Sequence, residues 1–227
     1  MHKSTRFDFD SVADFYDGWY DTLDGKRYDL LEKKAVLEFL KDGKYKKLLD
    51  IGCGTGHWDL FFSQLGYRVY GLDISRQMVN SSKEKIKENA TFFVADGSML
   101  PIRSGVFDVV TMITSLEFIK DTESVISQAM QCLKKPGGRL IIGTLNSKSR
   151  LNRKRIHRKE KPYSEASLFS PDKLKKIIEP IGKIKMKIAV YVLPIKSHFF
   201  LLENIFDSIA QFFRLKSGDF IVIEVKL

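Results

Sequence analysis

Asp50, Gly52, Gly54 and Gly56 stand within the run Leu49-Asp50-Ile51-Gly52-Cys53-Gly54-Thr55-Gly56. Three glycines at alternate positions after an acid let the chain turn sharply and leave bare backbone for a ligand to approach. Seventeen residues past Gly56, a carboxylate closes the run Tyr67-Arg68-Val69-Tyr70-Gly71-Leu72-Asp73. A glycine-rich loop after one strand and an acid at the end of the next describe a nucleoside-binding α/β half-domain. The spacing is Gly-x-Gly-x-Gly with His57 next, not the Gly-x-Gly-x-x-Gly that sets a helix N-terminus against a pyrophosphate. Asp50 would repel a pyrophosphate. It suits a ligand that carries an ammonium and a sulfonium, which points to S-adenosylmethionine.

At these residues the sequence resembles the class I S-adenosylmethionine-dependent methyltransferases, especially the small ones similar to ubiquinone- and menaquinone-biosynthesis methylases. Residues 49–56 are similar to the family's first motif. Gly71-Leu72-Asp73-Ile74-Ser75 is similar to the second, whose acid holds both ribose hydroxyls. Ala95-Asp96-Gly97-Ser98-Met99-Leu100-Pro101-Ile102 resembles the third, where the acid accepts from the adenine amino group. Phe107-Asp108-Val109-Val110 and then Thr114-Ser115-Leu116-Glu117-Phe118 resemble the fourth strand and the loop under the methionine moiety. Pro136-Gly137-Gly138 resembles the turn into the fifth strand.

The resemblance covers nearly the whole chain. It implies a Rossmann-like, seven-stranded, mostly parallel sheet with helices on both faces and an antiparallel C-terminal strand. It implies a cofactor set of Tyr16, Tyr20, Asp50, Gly52, Cys53, Gly54, Gly56, Asp73, Ile74, Met78, Asp96, Gly97, Ser98 and Ser115. Taken singly, Asp73 also reads as a helix N-cap and Asp96 as part of an Asp-Gly turn. Together they fall at the carboxyl ends of strands, where open α/β sheets bind ligands.

The elements that must hold these residues alternate along the chain. Strands are expected over 46–51, 68–73, 91–95, 107–113 and 138–144, and helices over 56–65, 75–88 and 121–134. Such alternation with short crossovers gives a parallel sheet. Ahead of it, Leu30, Leu31, Val36, Leu37, Phe39 and Leu40 recur at helical spacing, with Gly43 just past the end. Tyr16, Trp19, Tyr20, Gly25 and Glu32 resemble the helical cap of small methylases, which folds over the methionine end of the cofactor. The whole of 1–227 reads as one domain: a cap over 1–44, a cofactor core over 45–145, and a substrate-side insertion with C-terminal strands over 146–227.

Between Lys148 and Lys161 stand eight Lys and Arg residues against one acid, Glu160. This segment reads either as a cationic lid over an anionic group or as a solvated loop. Ser170 and Pro171 read as N-cap and first residue of a helix to about Ile178. Strands are expected at 183–193 and 219–226, with a helical apolar stripe at 202, 205, 206, 209, 212 and 213 that packs on the sheet or cap.

The net charge of +10 favours acidic partners in general. No apolar run reaches the roughly 20 residues that span a bilayer, and 1–6 lacks a signal-peptide core, so a cytoplasmic protein is expected. Cys53 and Cys132 are far apart and the four histidines are scattered, so no metal is expected. The leading reading is methyl transfer to a small molecule, apolar or anionic. A methylase of RNA is the alternative, weakened because the basic run lacks interleaved aromatic residues for base stacking. A non-catalytic cofactor-binding protein is the third. Glu117, where relatives often place a histidine, is a weak catalytic candidate, and His57 reads first as a packing residue in a helical first turn.

Overall fold

The computed structural model describes residues 4–40, 43–192, 205, 207–211 and 215–226. Its centre is a seven-stranded sheet in the order β3-β2-β1-β4-β5-β7-β6. The strands are β1 Lys47–Ile51, β2 Arg68–Asp73, β3 Ala90–Val94, β4 Val109–Ile113, β5 Arg139–Leu145, β6 Lys183–Ala189 and β7 Phe220–Lys226. β1 to β5 run parallel, while β7 lies antiparallel to both β5 and β6. Every residue of β4 and β5 is buried, as expected of parallel strands covered on both faces.

Helices cover both faces. The short α1, Gly18–Asp21, leads into α2, Leu23–Leu37. α2 and α3, His57–Gln64, supply Leu31, Val36, Trp58 and Phe62 to one core layer against Leu48, Val69 and Ile141. α5, Thr122–Cys132, and α7, Pro171–Ile178, supply Val125, Ile126, Leu174 and Ile178 to the other, against Leu49, Val110 and Ile142. α4, Arg76–Lys85, closes the edge with Val79 against Phe92. Each of α2, α4, α5 and α7 starts on a side-chain cap, from Thr22, Ser75, Asp121 and Ser170 respectively.

The chain leaves β1 for β2 on one side and returns after β3 to β4 on the other. A crevice therefore opens between the carboxyl ends of β1 and β4, the topological switch point.

Several expected boundaries move. β4 begins at Val109, because Phe107 makes only an isolated bridge to Leu133. β6 ends at Ala189, four residues early. Val190 adopts φ +66° and Tyr191 N donates to the buried Asp207 carboxylate, so pairing with β7 stops there. The basic segment is helical, not a loop, over most of its length: Arg150–His157 forms α6. Ser149 caps it, accepting from Asn152 N, and Asn152 Nδ2 donates to the carbonyls of Asn146 and Asp219. Much of the 202–213 stripe lies outside the described residues. Ile205 and Ile209 are exposed there, and the buried side carries Asp207 and Ala210 instead.

Candidate cofactor cleft and adjoining cavity

Gly52, Gly54 and Gly56 all take positive φ, at +80°, +54° and +79°. A Cβ at Gly52 would lie 2.4 Å from Ser115 Cβ, whereas Gly54 has nothing within 4 Å of that position. The loop thus needs glycine for conformation throughout and for close approach at Gly52. The peptide N–H groups of Gly52 and Cys53 donate to Leu72 O, and Gly54 N donates to Asp73 Oδ2 at 3.0 Å. Asp73 also accepts from Ser75 N at 2.9 Å. Burial raises its acid, while these backbone donors oppose the rise. Past β3, Asp96 Oδ1 accepts from both the N–H and hydroxyl of Ser98.

Asp50 lies under the loop on β1 and accepts from Thr111 Oγ1 at 2.5 Å. Burial, with Asp73 nearby, pushes its acid up to about 7. Asp59 on α3 is fully buried beside it, and neither carboxylate oxygen meets a donor of the protein. Burial and then the charge of Asp50 drive the Asp59 acid well above the usual range. Asp59 is therefore held toward its neutral form beside Asp50. Nothing in the loop motif signals Asp59; only the facing of α3 does.

The N-terminal segment closes over this edge. Asp10 accepts from Ser75 Oγ at 2.6 Å, and Asp17 from Thr55 Oγ1 at 2.5 Å and Lys85 Nζ at 2.6 Å. A cleft results at the carboxyl ends of the strands. Of the expected cofactor residues, Tyr16, Tyr20, Asp50, Gly52, Cys53, Gly54, Asp73, Ile74, Met78, Asp96, Gly97 and Ser115 line it. Gly56 does not; it is the left-handed N-cap of α3, against Ser82. Ser98 does not either, being bonded to Asp96, with its carbonyl accepting from Ser124 Oγ. Phe9 and Phe118, in edge contact at 5.1 Å, also line the cleft and were not singled out by the sequence.

His57 lines the cleft as well. Its ring stacks on Tyr20 at 3.6 Å, and Nε2 is 2.7 Å from Asp29 Oδ1. Burial works against the Asp29 carboxylate, but His57 and Lys33 outweigh it and hold its acid below the ordinary value. Glu117 points elsewhere. Fully buried, it accepts from Thr144 Oγ1 at 3.0 Å and Leu145 N at 3.2 Å, and lines neither the cleft nor its neighbour. Burial pushes its acid up to about 7 against those donors.

A second cavity, of about 300 Å³, adjoins the first. Tyr16, Tyr20, Thr114 and Phe118 line both. Thr114 holds φ +49°, an unfavourable angle for a β-branched residue and of a kind found at functional sites. Trp19, Tyr28 and Tyr163 add further rings, and Glu32 and Arg155 face in from α2 and α6. Among the described residues no three His, Cys, Asp or Glu side chains could jointly hold a metal ion, and no helix is long and apolar enough to cross a membrane.

The methyltransferase-domain family matches residues 49–142. Among curated proteins, a demethylmenaquinone methyltransferase of Lactococcus lactis is 33% identical over 140 residues, 59% of this chain and 55% of that protein. An uncharacterized protein of Methanocaldococcus jannaschii is 29% identical over 77% of this chain and 80% of its own. The chain spans little more than half the length of the curated methyltransferases it matches. Among solved structures, a Thermotoga maritima S-adenosylmethionine-dependent methyltransferase, described as a possible histamine N-methyltransferase, superposes with a TM-score of 0.75 at 23% identity. That superposition covers 96% of this chain and 97% of the other, and bears on the fold.

Proposed function

We propose that the chain, whose residues 49–142 match the methyltransferase-domain family, is a class I S-adenosylmethionine-dependent methyltransferase that transfers the cofactor's methyl group to a small molecule held in the second cavity. One observation carries the reading: the cofactor cleft and an aromatic-walled cavity lie side by side and share Tyr16, Tyr20, Thr114 and Phe118. A cavity walled by aromatic rings and carrying a small number of charged groups suits a small ligand.

The residues of the cleft fit S-adenosylmethionine. The open backbone at Gly54 leaves room for a ligand against the loop. Asp73 would hold the ribose hydroxyls and Asp96 the adenine amine, while Asp50 would meet the ammonium. Tyr16 and Tyr20 are aromatic faces beside which a sulfonium is favoured. Burial raises both phenols well above their ordinary value, so they stay neutral at physiological pH.

When bound, the cofactor supplies a methyl group on positive sulfur whose departure leaves a neutral thioether. The chain's contribution is chiefly alignment of acceptor and methyl, which is worth several kcal/mol. The bonds from Asp10 and Asp17 to the cofactor side of the sheet hold the aromatic cap in place for that task.

The test is transfer from methyl-labelled cofactor into a cell extract, followed by separation by mass. Label in the low-mass fraction, together with S-adenosylhomocysteine, is the expected result. Label confined to RNA or protein would replace the small-molecule reading with a macromolecular one. Cofactor binding without any transfer would leave a binding protein.

A further inference from the structure

An acid and a guanidinium face the second cavity, and neither side chain makes a hydrogen bond or ion pair with another described residue. Glu32 reaches it from α2 and makes no hydrogen bond or ion pair with a described residue. Burial and then Asp29 push its acid up to about 8, against a smaller pull from Arg155. Arg155 reaches in from α6 and is only 8% exposed. Its guanidinium lies 4.1 Å from the ring centre of Tyr163, 5.4 Å from Trp19 and 5.9 Å from Tyr28. Rings over a guanidinium leave its N–H edge for an oxyanion, and no described carboxylate forms an ion pair with it. The other charged lining groups are engaged or outside. Asp29 is held by Lys33 and His57, and Lys161 is exposed.

A buried charge without a partner is costly. A neutral acceptor would leave both groups unmet, a simple amine would leave Arg155, and a simple acid would leave Glu32. Resting on the methyl-transfer reading above, we propose that the cavity takes a zwitterionic acceptor, with its ammonium against Glu32 and a carboxylate or phosphate on Arg155. The rings around Arg155 line the second cavity but not the cleft, so the acid end lies away from the cofactor. The frame is built for this: Ser149 and Tyr28 both donate to Asp219, which ties α6 and α2 to the start of β7.

The probes are ω-amino acids from glycine to 6-aminohexanoate, each set against the n-alkylamine and the n-alkanoate of the same length. Binding is measured by calorimetry on protein loaded with S-adenosylhomocysteine. At the length that spans the two charges, the amino acid should bind about tenfold or more tightly than either singly charged analogue. Arg155→Met should erase the advantage over the alkylamine, and Glu32→Gln the advantage over the alkanoate, with S-adenosylhomocysteine affinity kept in both. Arg155→Lys, the milder change for the fold, should weaken the advantage without erasing it. The proposal is overturned if no length favours the amino acid, including through absence of any binding, or if the preference survives both neutral variants. Failure of the unaltered protein to bind S-adenosylhomocysteine at all would sink the methyl-transfer reading, and this inference with it.

Discussion

Replacing Asp50 with asparagine removes a charge but leaves an oxygen to accept from Thr111 Oγ1, so the site keeps its shape. In the empty protein the Asp50 acid titrates at about 7, raised by burial and by Asp73. The cofactor's ammonium would bind the ionised form. About nine-tenths of the protein carries that form at pH 8 and about one-tenth at pH 6. Affinity for S-adenosylmethionine should therefore fall by roughly tenfold between those values, as the bound state must expel a proton. A hydrogen bond to a charged group contributes about 1.5–3 kcal/mol, so Asp50→Asn should bind roughly ten- to a hundredfold more weakly at pH 8. At pH 6 the unaltered protein is itself mostly neutral there, and the gap should narrow by about tenfold. Titrations of Glu32, Glu117 and the ligand are common to both proteins, whereas Asp59 and Asp73 interact with Asp50, so the comparison reads the three carboxyl groups as a unit. Stability gives an independent sign. An acid raised on folding stabilises the empty protein on the acid side, and that contribution is lost as pH rises through about 7. The thermal shift produced by cofactor should accordingly grow from pH 6 to pH 8 in the unaltered protein and stay level in Asp50→Asn. A gap in affinity that stays constant across this range, measured by calorimetry, would refute the reasoning.

Asp59→Asn should leave cofactor affinity near the parent value, since Asp59 is held toward its neutral form and does not line the cleft; a large loss by calorimetry would mean that the cofactor site needs its charge. Asp73→Ala should cost about 1–3 kcal/mol of cofactor affinity by calorimetry, since ribose hydroxyls would lose a charged acceptor; unchanged affinity would remove Asp73 from the site. Gly52→Ala should lower unfolding free energy by at least about 1–2 kcal/mol in denaturant titrations, from the left-handed backbone alone, with the contact on Ser115 adding to it. Glu117→Leu should lower it by about 1–3 kcal/mol by stranding Leu145 N–H, with cofactor affinity unchanged; a loss of affinity would place Glu117 in the cleft.

How far the sequence discloses this site depends on whether a residue's task is local. Gly52, Gly54 and Gly56 answer a backbone requirement met within the loop, so their spacing alone declares a ligand-facing turn. Asp73 and Asp96 close strands whose patterns are visible, and both line the cleft. Gly56 and Ser98 share those motifs yet support the site from behind, a difference that spacing does not encode. Asp59 matters only because α3 turns it under β1, and a helical carboxylate ordinarily reads as solvated.

Charge is the least local signal. Of the eight basic residues between Lys148 and Lys161, seven are exposed and one, Arg155, is buried. Net charge and run length weigh all eight alike, so they suggest an outward-facing surface for an acidic partner. Burial reverses the meaning of that one member. A solvated Arg beside a polyanion acts as one of many screened charges, whereas Arg155 among Tyr163, Trp19 and Tyr28 acts as a single oriented donor edge. What converts it is the docking of α6 through Asn146, Ser149, Asn152 and Asp219, drawn from both ends of the C-terminal segment. Its counterpart Glu32 is 123 residues away on α2. The two charges meet in one cavity only because β7 inserts between β5 and β6, bringing Asp219, just ahead of β7, against both helices. On the proposed reading, the acceptor's charged ends are met through the sheet's C-terminal topology, while the cofactor cleft is built from the cap and the loops after β1 to β4.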